Sequence, residues 1–257
     1  MTSSQGESTE ALAADKVSVR FGGVKALSAV SLTFQPGKAY GMIGPNGSGK
    51  TTLLNVLSGV VKPTDGSIRV AGELPRRYAP ETFFDLGISR TFQLIRLVEH
   101  LTVWENVAAG VDHAGPPKTA QGISPPSRAA QIDDAIDRLR LRQYATTKVG
   151  LLPYGLRRRV EIARAIARRP RVLLLDEPMA GMNNLERRDV AESVRAVVSK
   201  DMAMVIVEHD LPLLLGLCDE LIVLNFGEVI AHGPPNETAE LDVVRTAYLG
   251  ESHGSTS

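Results

Sequence analysis

Cysteine is almost absent from this 257-residue chain: Cys218 stands alone. A single thiol excludes an internal disulfide and fits a reducing cytosol. An excess of either charge is missing too, since 29 Lys and Arg balance 29 Asp and Glu. No overall field therefore draws the chain to nucleic acid or to an anionic membrane. Long apolar runs are lacking. "MAMVIV" and "LPLLLGL" fall well short of the roughly 18 residues a membrane span needs, so any work at a membrane would pass through a partner. The opening "MTSSQGESTEALAADK" has neither the basic nor the apolar region of a secretory signal. Residues 1–14 read as a disordered tail, and residues 251–257 as a second polar tail.

What is present is a succession of strand and helix patterns. "KVSVRF" and "LSAVSLTF" alternate as strands do, and "QPGK" is a turn. "AYGMIG" is a short apolar strand that runs into glycines and then into "KTTLLNVLSG". There Leu53, Leu54, Val56 and Leu57 give one helical face, and Gly59 can end the helix. "SIRVAG" is another strand, and "GISRTFQ" looks like one that stops at Gln93. Over residues 95–168 strand signals vanish. "LTVWENVAAGV", "AAQIDDAIDRLRL" and "VEIARAIARR" carry helical spacing, with "GPPKTAQGISPPS" as a surface loop. Strands return with "RVLLLD" and "MAMVIVEH", whose lack of alternation predicts burial on both faces. A helix over residues 184 to about 199 separates them, and "ELIVLNFGEVIAHG" reads as a hairpin. The expected fold class is α/β, interrupted by an all-helical insertion.

Chemistry concentrates in two places. Residues 44–52, "GPNGSGKTT", fit G-x-x-x-x-G-K-[ST] between a strand and a helix. Gly44, Pro45, Asn46, Gly47, Ser48, Gly49 and Thr52 shape a loop whose backbone N–H groups converge on phosphate. Lys50 can reach the β- and γ-phosphates, and Thr51 can ligate Mg²⁺. ATP and Mg²⁺ are the expected ligands. "RVLLLDEP" adds two carboxylates where a buried strand ends. Asp176 would hold Mg²⁺ through water, and Glu177 would take a proton from the attacking water. Without a P-loop, the same pair would as often be a helix N-terminal charge pair.

In order along the chain, the P-loop, Gln93, "LPYGLRRRVEIARA", "LLLDEP", "AGMNNLE" and "VIVEHD" resemble the ATP-binding subunit of ABC transporters. The resemblance covers about residues 15–250. "VRFGGVKAL", "ISRTFQ", "LDEPMAGMN", "EHD" and "AYLGE" look most like the ATPases of branched-chain amino acid importers. "RTFQ" and the long insertion resemble the larger of their two ATPase subunits. The resemblance implies a P-loop ABC ATPase core, residues 15–93 and 170–250, with a β subdomain and an α-helical subdomain at 94–169. It implies that Phe21 stacks on adenine, that Gln93 touches Mg²⁺ and senses the transporter, and that His209 holds the γ-phosphate. It also implies a second ATPase subunit, with Tyr154 and Gly155 of one subunit capping the nucleotide of the other. A transmembrane permease would dock near residues 93–110 on the cytoplasmic face of the membrane, with an extracytoplasmic solute-binding protein acting indirectly. The alternatives are a lipid- or lipopolysaccharide-export ATPase and a soluble ABC ATPase acting on DNA or the ribosome.

Three departures from the family pattern stand out. Pro153 occupies the usual serine position of the signature segment, Leu156 replaces a usual glutamine, and Asn183 stands where many members carry Asp. Arginine is dense over residues 157–171. A solvated helix face, nucleic-acid binding and attraction of a partner's nucleotide are the three readings of that density.

Overall fold

The computed structural model describes residues 10–112 and 127–249. In chain order the first elements are β1 (Leu12–Phe21), β2 (Val24–Phe34), β3 (Ala39–Ile43), α1 (Lys50–Leu57) and β4 (Asp65–Val70). Then come α2 (Pro80–Asp85), β5 (Ile88–Arg90), α3 (Val103–Asp112), α4 (Arg128–Arg138) and α5 (Tyr154–Ile166). The last third holds β6 (Val172–Asp176), α6 (Asn184–Val197), β7 (Ala203–Val207), α7 (Leu211–Leu217), β8 (Glu220–Asn225), β9 (Glu228–Gly233), α8 (Pro235–Glu240) and α9 (Asp242–Leu249).

Two sheets result. An antiparallel sheet runs β2-β1-β4, and a six-stranded sheet runs β5-β6-β7-β3-β8-β9. The second is parallel from β5 through β8, with β9 antiparallel at its edge. Its strands alternate between two cores. Tyr40 and Met42 of β3, with Val172 and Leu174 of β6, face the antiparallel sheet. Ala39 and Ile43, with Leu173 and Leu175, face the core shared with α3, α4 and α5. Both faces are covered, so "VLLLD" and "AMVIV" show no alternation. The fold is α/β, with a helical unit inserted between β5 and β6.

Several expectations need correction. The first strand begins at Leu12, inside the expected tail of residues 1–14, because Leu12 is fully buried between Phe34 and Val70. Strand β5 ends at Arg90 instead of Gln93, since past the Thr91 N–H bond to Leu174 the chain leaves the sheet. "LPLLLGL", to which no element was assigned from the sequence, forms helix α7, capped by the Asp210 carboxylate on the Leu213 N–H. The expected loop at 115–127 falls almost wholly outside the described residues. Nor are the arginines simply a solvated face. Arg159 donates to the Leu139 and Arg140 carbonyls, and buried Arg168 stacks on Phe84 at 3.5 Å.

Candidate active site

Strand β3 delivers the chain to residues 44–52 at the carboxyl edge of the sheet, beside the β8–β9 turn. Gly44 passes so close to β8 that a Cβ there would lie 2.1 Å from the Leu224 carbonyl oxygen. Gly49 starts α1 at φ 105°, a conformation that favours glycine, and its added Cβ would lie 2.7 Å from Ala26 O. Gly227 ties the loop down by donating its N–H to Ser48 O at 2.9 Å. The buried Lys50 ammonium is folded inside the loop, donating to the carbonyls of Gly44 at 2.6 Å and Pro45 at 2.9 Å. The Ser48 hydroxyl is buried without a partner. Thr51 is exposed, and Asn46 and Gly47 are exposed at the loop's tip. With no acidic residue in its first turn, α1 leaves its positive end open to an anion.

Three neighbouring strand ends build the second half of the site. Beyond β5 lies Gln93, β6 ends in Asp176 and is followed by Glu177, and after β7 lie Glu208 and His209. Glu177 stands between two partners: His209 Nε2 is 2.7 Å from Oε1, and Gln93 Nε2 donates to Oε2 at 3.0 Å. Its backbone sits at φ 46°, an uncommon state for a non-glycine residue, and its N–H bonds Val207 O. Such strain is stored where the surrounding structure enforces it.

Asp176 is placed differently. Its carboxylate accepts from Arg90 Nη2 at 2.9 Å, and Arg90 also donates to Asn55 on α1 and to Ser58, the C-cap of that helix. Sequence reasoning missed Arg90, although "ISRTFQ" contains it; the signal was a cation ending the strand beside the one that ends in Asp176. It also missed Glu208. That buried carboxylate accepts the Met179 N–H at 2.9 Å, tying the end of β7 to the loop after Glu177. Burial, chiefly, pushes the Glu208 pKa above the usual carboxylate value, helped by the charge of Glu177.

The remaining candidates lie apart from this cluster. Phe21 ends β1, about half exposed and paired with Val24 of β2, and β2 runs on from there to Ala26 against Gly49. Tyr154 and Gly155 begin α5 beside α6, where a Cβ on Gly155 would lie 3.5 Å from Glu186. The chain does not bring them to its own P-loop. Pro153 is the N-cap of α5 and makes no side-chain cap bond. Asn183 has local work: its Oδ1 accepts from the N–H groups of Leu185 and Glu186, while Glu186 returns a bond to the Asn183 N–H. This capping box opens α6.

Residues 27–180 match the ABC transporter family. The chain is 34% identical to the high-affinity branched-chain amino acid transport ATP-binding protein BraF of Pseudomonas aeruginosa, over 92% of this chain and 96% of that protein. It is 34% identical to LivG of Escherichia coli, which carries the same description, over 94% of this chain and 98% of that protein. The crystal structure of an ATP-binding cassette of an ABC transporter in its ADP conformation superposes with a TM-score of 0.81 at 30% identity, covering 94% and 99% of the two chains. With its P-loop and its Gln93–Glu177–His209 cluster, the chain belongs to the ABC transporter family as an ATP-binding, ATP-hydrolysing cassette.

Proposed function

We propose that this chain is the motor subunit of an importer for branched-chain or chemically related amino acids or amides. The observation that carries the catalytic part is Glu177, held between Gln93 and His209 beside a P-loop. ATP lies with its phosphates on residues 44–52 and its adenine on Phe21. Lys50 leaves the Gly44 and Pro45 carbonyls for the β- and γ-phosphates, a charge-assisted exchange. The hard oxygens of Thr51, Gln93 and Asp176 suit Mg²⁺, which takes few protein ligands and fills its shell with phosphate and water. Bound there, Mg²⁺ supplies charge neutralisation of the phosphate oxygens.

Glu177 accepts a proton from water as that water's oxygen bonds the γ-phosphorus. The bond between the γ-phosphorus and the β–γ bridging oxygen breaks, and ADP carries away the electron pair. His209 holds the γ-phosphate and, through its contact with Glu177, keeps the carboxylate on the water's side.

Tyr154 and Gly155 begin α5 against Glu186 of α6, which supports a second ATPase subunit: the start of α5 in one subunit caps the nucleotide of the other. Residues 93–110 carry the exposed Leu94 and Val98, with Phe92 exposed just before them, a surface suited to a permease at the cytoplasmic face of the membrane. An extracytoplasmic protein delivers the solute. Charge neutrality and the internal engagement of Arg158, Arg159 and Arg168 speak against nucleic acid. Among the described residues no helix is long and apolar enough to cross a membrane. Vesicles carrying this chain, its permease and its solute-binding protein test the reading. Leucine, isoleucine or valine should accelerate ATP hydrolysis and enter with it. Stimulation by none of these or their amides would overturn the assignment.

A further inference from the structure

We infer that Arg158 and Glu161, an ion pair buried on α5, are positioning residues for Gln93. The proposal rests on reading Gln93 as a neighbour of the reacting phosphate. Past Thr91 the segment at 92–98 forms neither strand nor helix, so its backbone groups need partners from elsewhere. Arg158 provides them. Its side chain is wholly buried; Nη1 donates to Phe92 O at 2.8 Å and Nη2 to Gln93 O at 2.8 Å. Nη1 also meets Glu161 Oε2 at 2.6 Å, one helical turn further on. Glu161 is buried as well; burial pushes its pKa above the ordinary carboxylate value, while Arg158 and, more weakly, the backbone N–H of Arg96 favour the charged form.

One planar guanidinium thus fixes two consecutive carbonyls of an irregular segment, and its counterion faces the same segment. Only Arg presents such a rigid fork; the Lys ammonium is a single point charge. Stability alone does not explain the choice, because apolar residues of similar volume often replace a buried ion pair at no cost. What the pair adds is register. Gln93 is gripped by its main chain from α5, while its side-chain amide reaches Glu177 at 3.0 Å. The helix that begins with Tyr154 and Gly155 is therefore linked by direct contacts, through Arg158 and Gln93, to the base. A displacement of residues 92–98 moves the start of α5 with it.

The test uses the full chain in two forms. Arg158→Lys keeps a charge for Glu161 but cannot span both carbonyls. The double variant Arg158→Met, Glu161→Met removes the pair and leaves no charge unpaired, and its circular dichroism and melting temperature check that it folds. Hydrogen exchange at residues 92–97 should quicken at least about tenfold in both, with residues 53–57 of α1 unchanged. The kcat for Mg-ATP should fall about tenfold with KM within about twofold, and adding Gln93→Ala should cost no more than Gln93→Ala alone. Unchanged exchange, or losses that add fully to those of Gln93→Ala, would overturn the proposal. Faster exchange beside normal turnover in Gln93→Ala would uphold the clamp and overturn only the catalytic reading of Gln93.

Discussion

Two Glu–His pairs of equal length sit at opposite edges of the central sheet. At the carboxyl edge Glu177 and His209 are 2.7 Å apart; at the amino edge Glu220 and His232 are also 2.7 Å apart. Their surroundings differ. The other oxygen of Glu220 takes the Lys38 ammonium at 2.6 Å. Burial acts to raise the Glu220 pKa, but Lys38 and His232 outweigh it and hold the carboxyl below its ordinary value. That pair is a saturated staple joining β3, β8 and β9. Glu177 has a neutral amide as its other partner, stands on strained backbone, and adjoins a P-loop. A Glu–His contact is not in itself a catalytic base; the charge around it and the anion site beside it decide.

The largest expected effect breaks the first pair. Glu177→Gln should lower kcat by about 10²–10⁴-fold while ATP still binds, because an amide cannot take the water's proton. Glu220→Gln should leave turnover within about twofold. His209→Ala comes next, with kcat down about 10²-fold in line with losing one donor to the transferring group. Lys50→Ala should weaken ATP binding by roughly 10- to 100-fold, the worth of one charge-assisted hydrogen bond. Since its ammonium also holds the Gly44 and Pro45 carbonyls, a small drop in nucleotide-free melting temperature should accompany that loss.

Pro153→Ser returns a hydroxyl to the start of α5 and should tighten the ATP-bound dimer by up to about tenfold, read by sedimentation. Looser or unchanged association would show that the serine is not what this segment lacks. The smallest effect belongs to the staple. The folded pKa of Glu220 is depressed, so its stabilising contribution is present above its ordinary value of 4.5 and is lost as pH falls through the lower folded value. Thermal melts between about pH 3 and 6 should therefore slope less steeply in Glu220→Gln than in the native chain.

The contrast also separates what could be read from the sequence from what could not. Residues 44–52 were legible because their function depends on backbone geometry, which glycine spacing and the flanking strand and helix dictate locally. Asp176 and Glu177 were legible as strand-end positions, since buried parallel strands deliver their next residues to one edge, whereas His209 stood out only through the resemblance to the family. Glu220 and His232 carried no such signal; their pairing depends on the register of β8 against β9. Arg158 and Glu208 were illegible because their partners lie up to 66 residues away, and Arg90, 86 residues from Asp176, offered only the weak signal of a cation at a strand end. Asn183 stood out only as a departure from the family's Asp; its capping of α6 through the Leu185 and Glu186 N–H groups is visible only in the structure. The first strand was started too late because Ala13 and Ala14 look neutral in isolation, although both are buried.

The account turns on Glu177 being the base, and trapping labelled nucleotide tests that most directly. The transporter carrying Glu177→Gln, incubated with radiolabelled ATP and Mg²⁺ and then washed, should retain ATP. The transporter carrying Glu220→Gln, treated identically, should yield ADP. Recovery of ADP from the Glu177→Gln transporter at the native rate would contradict the account.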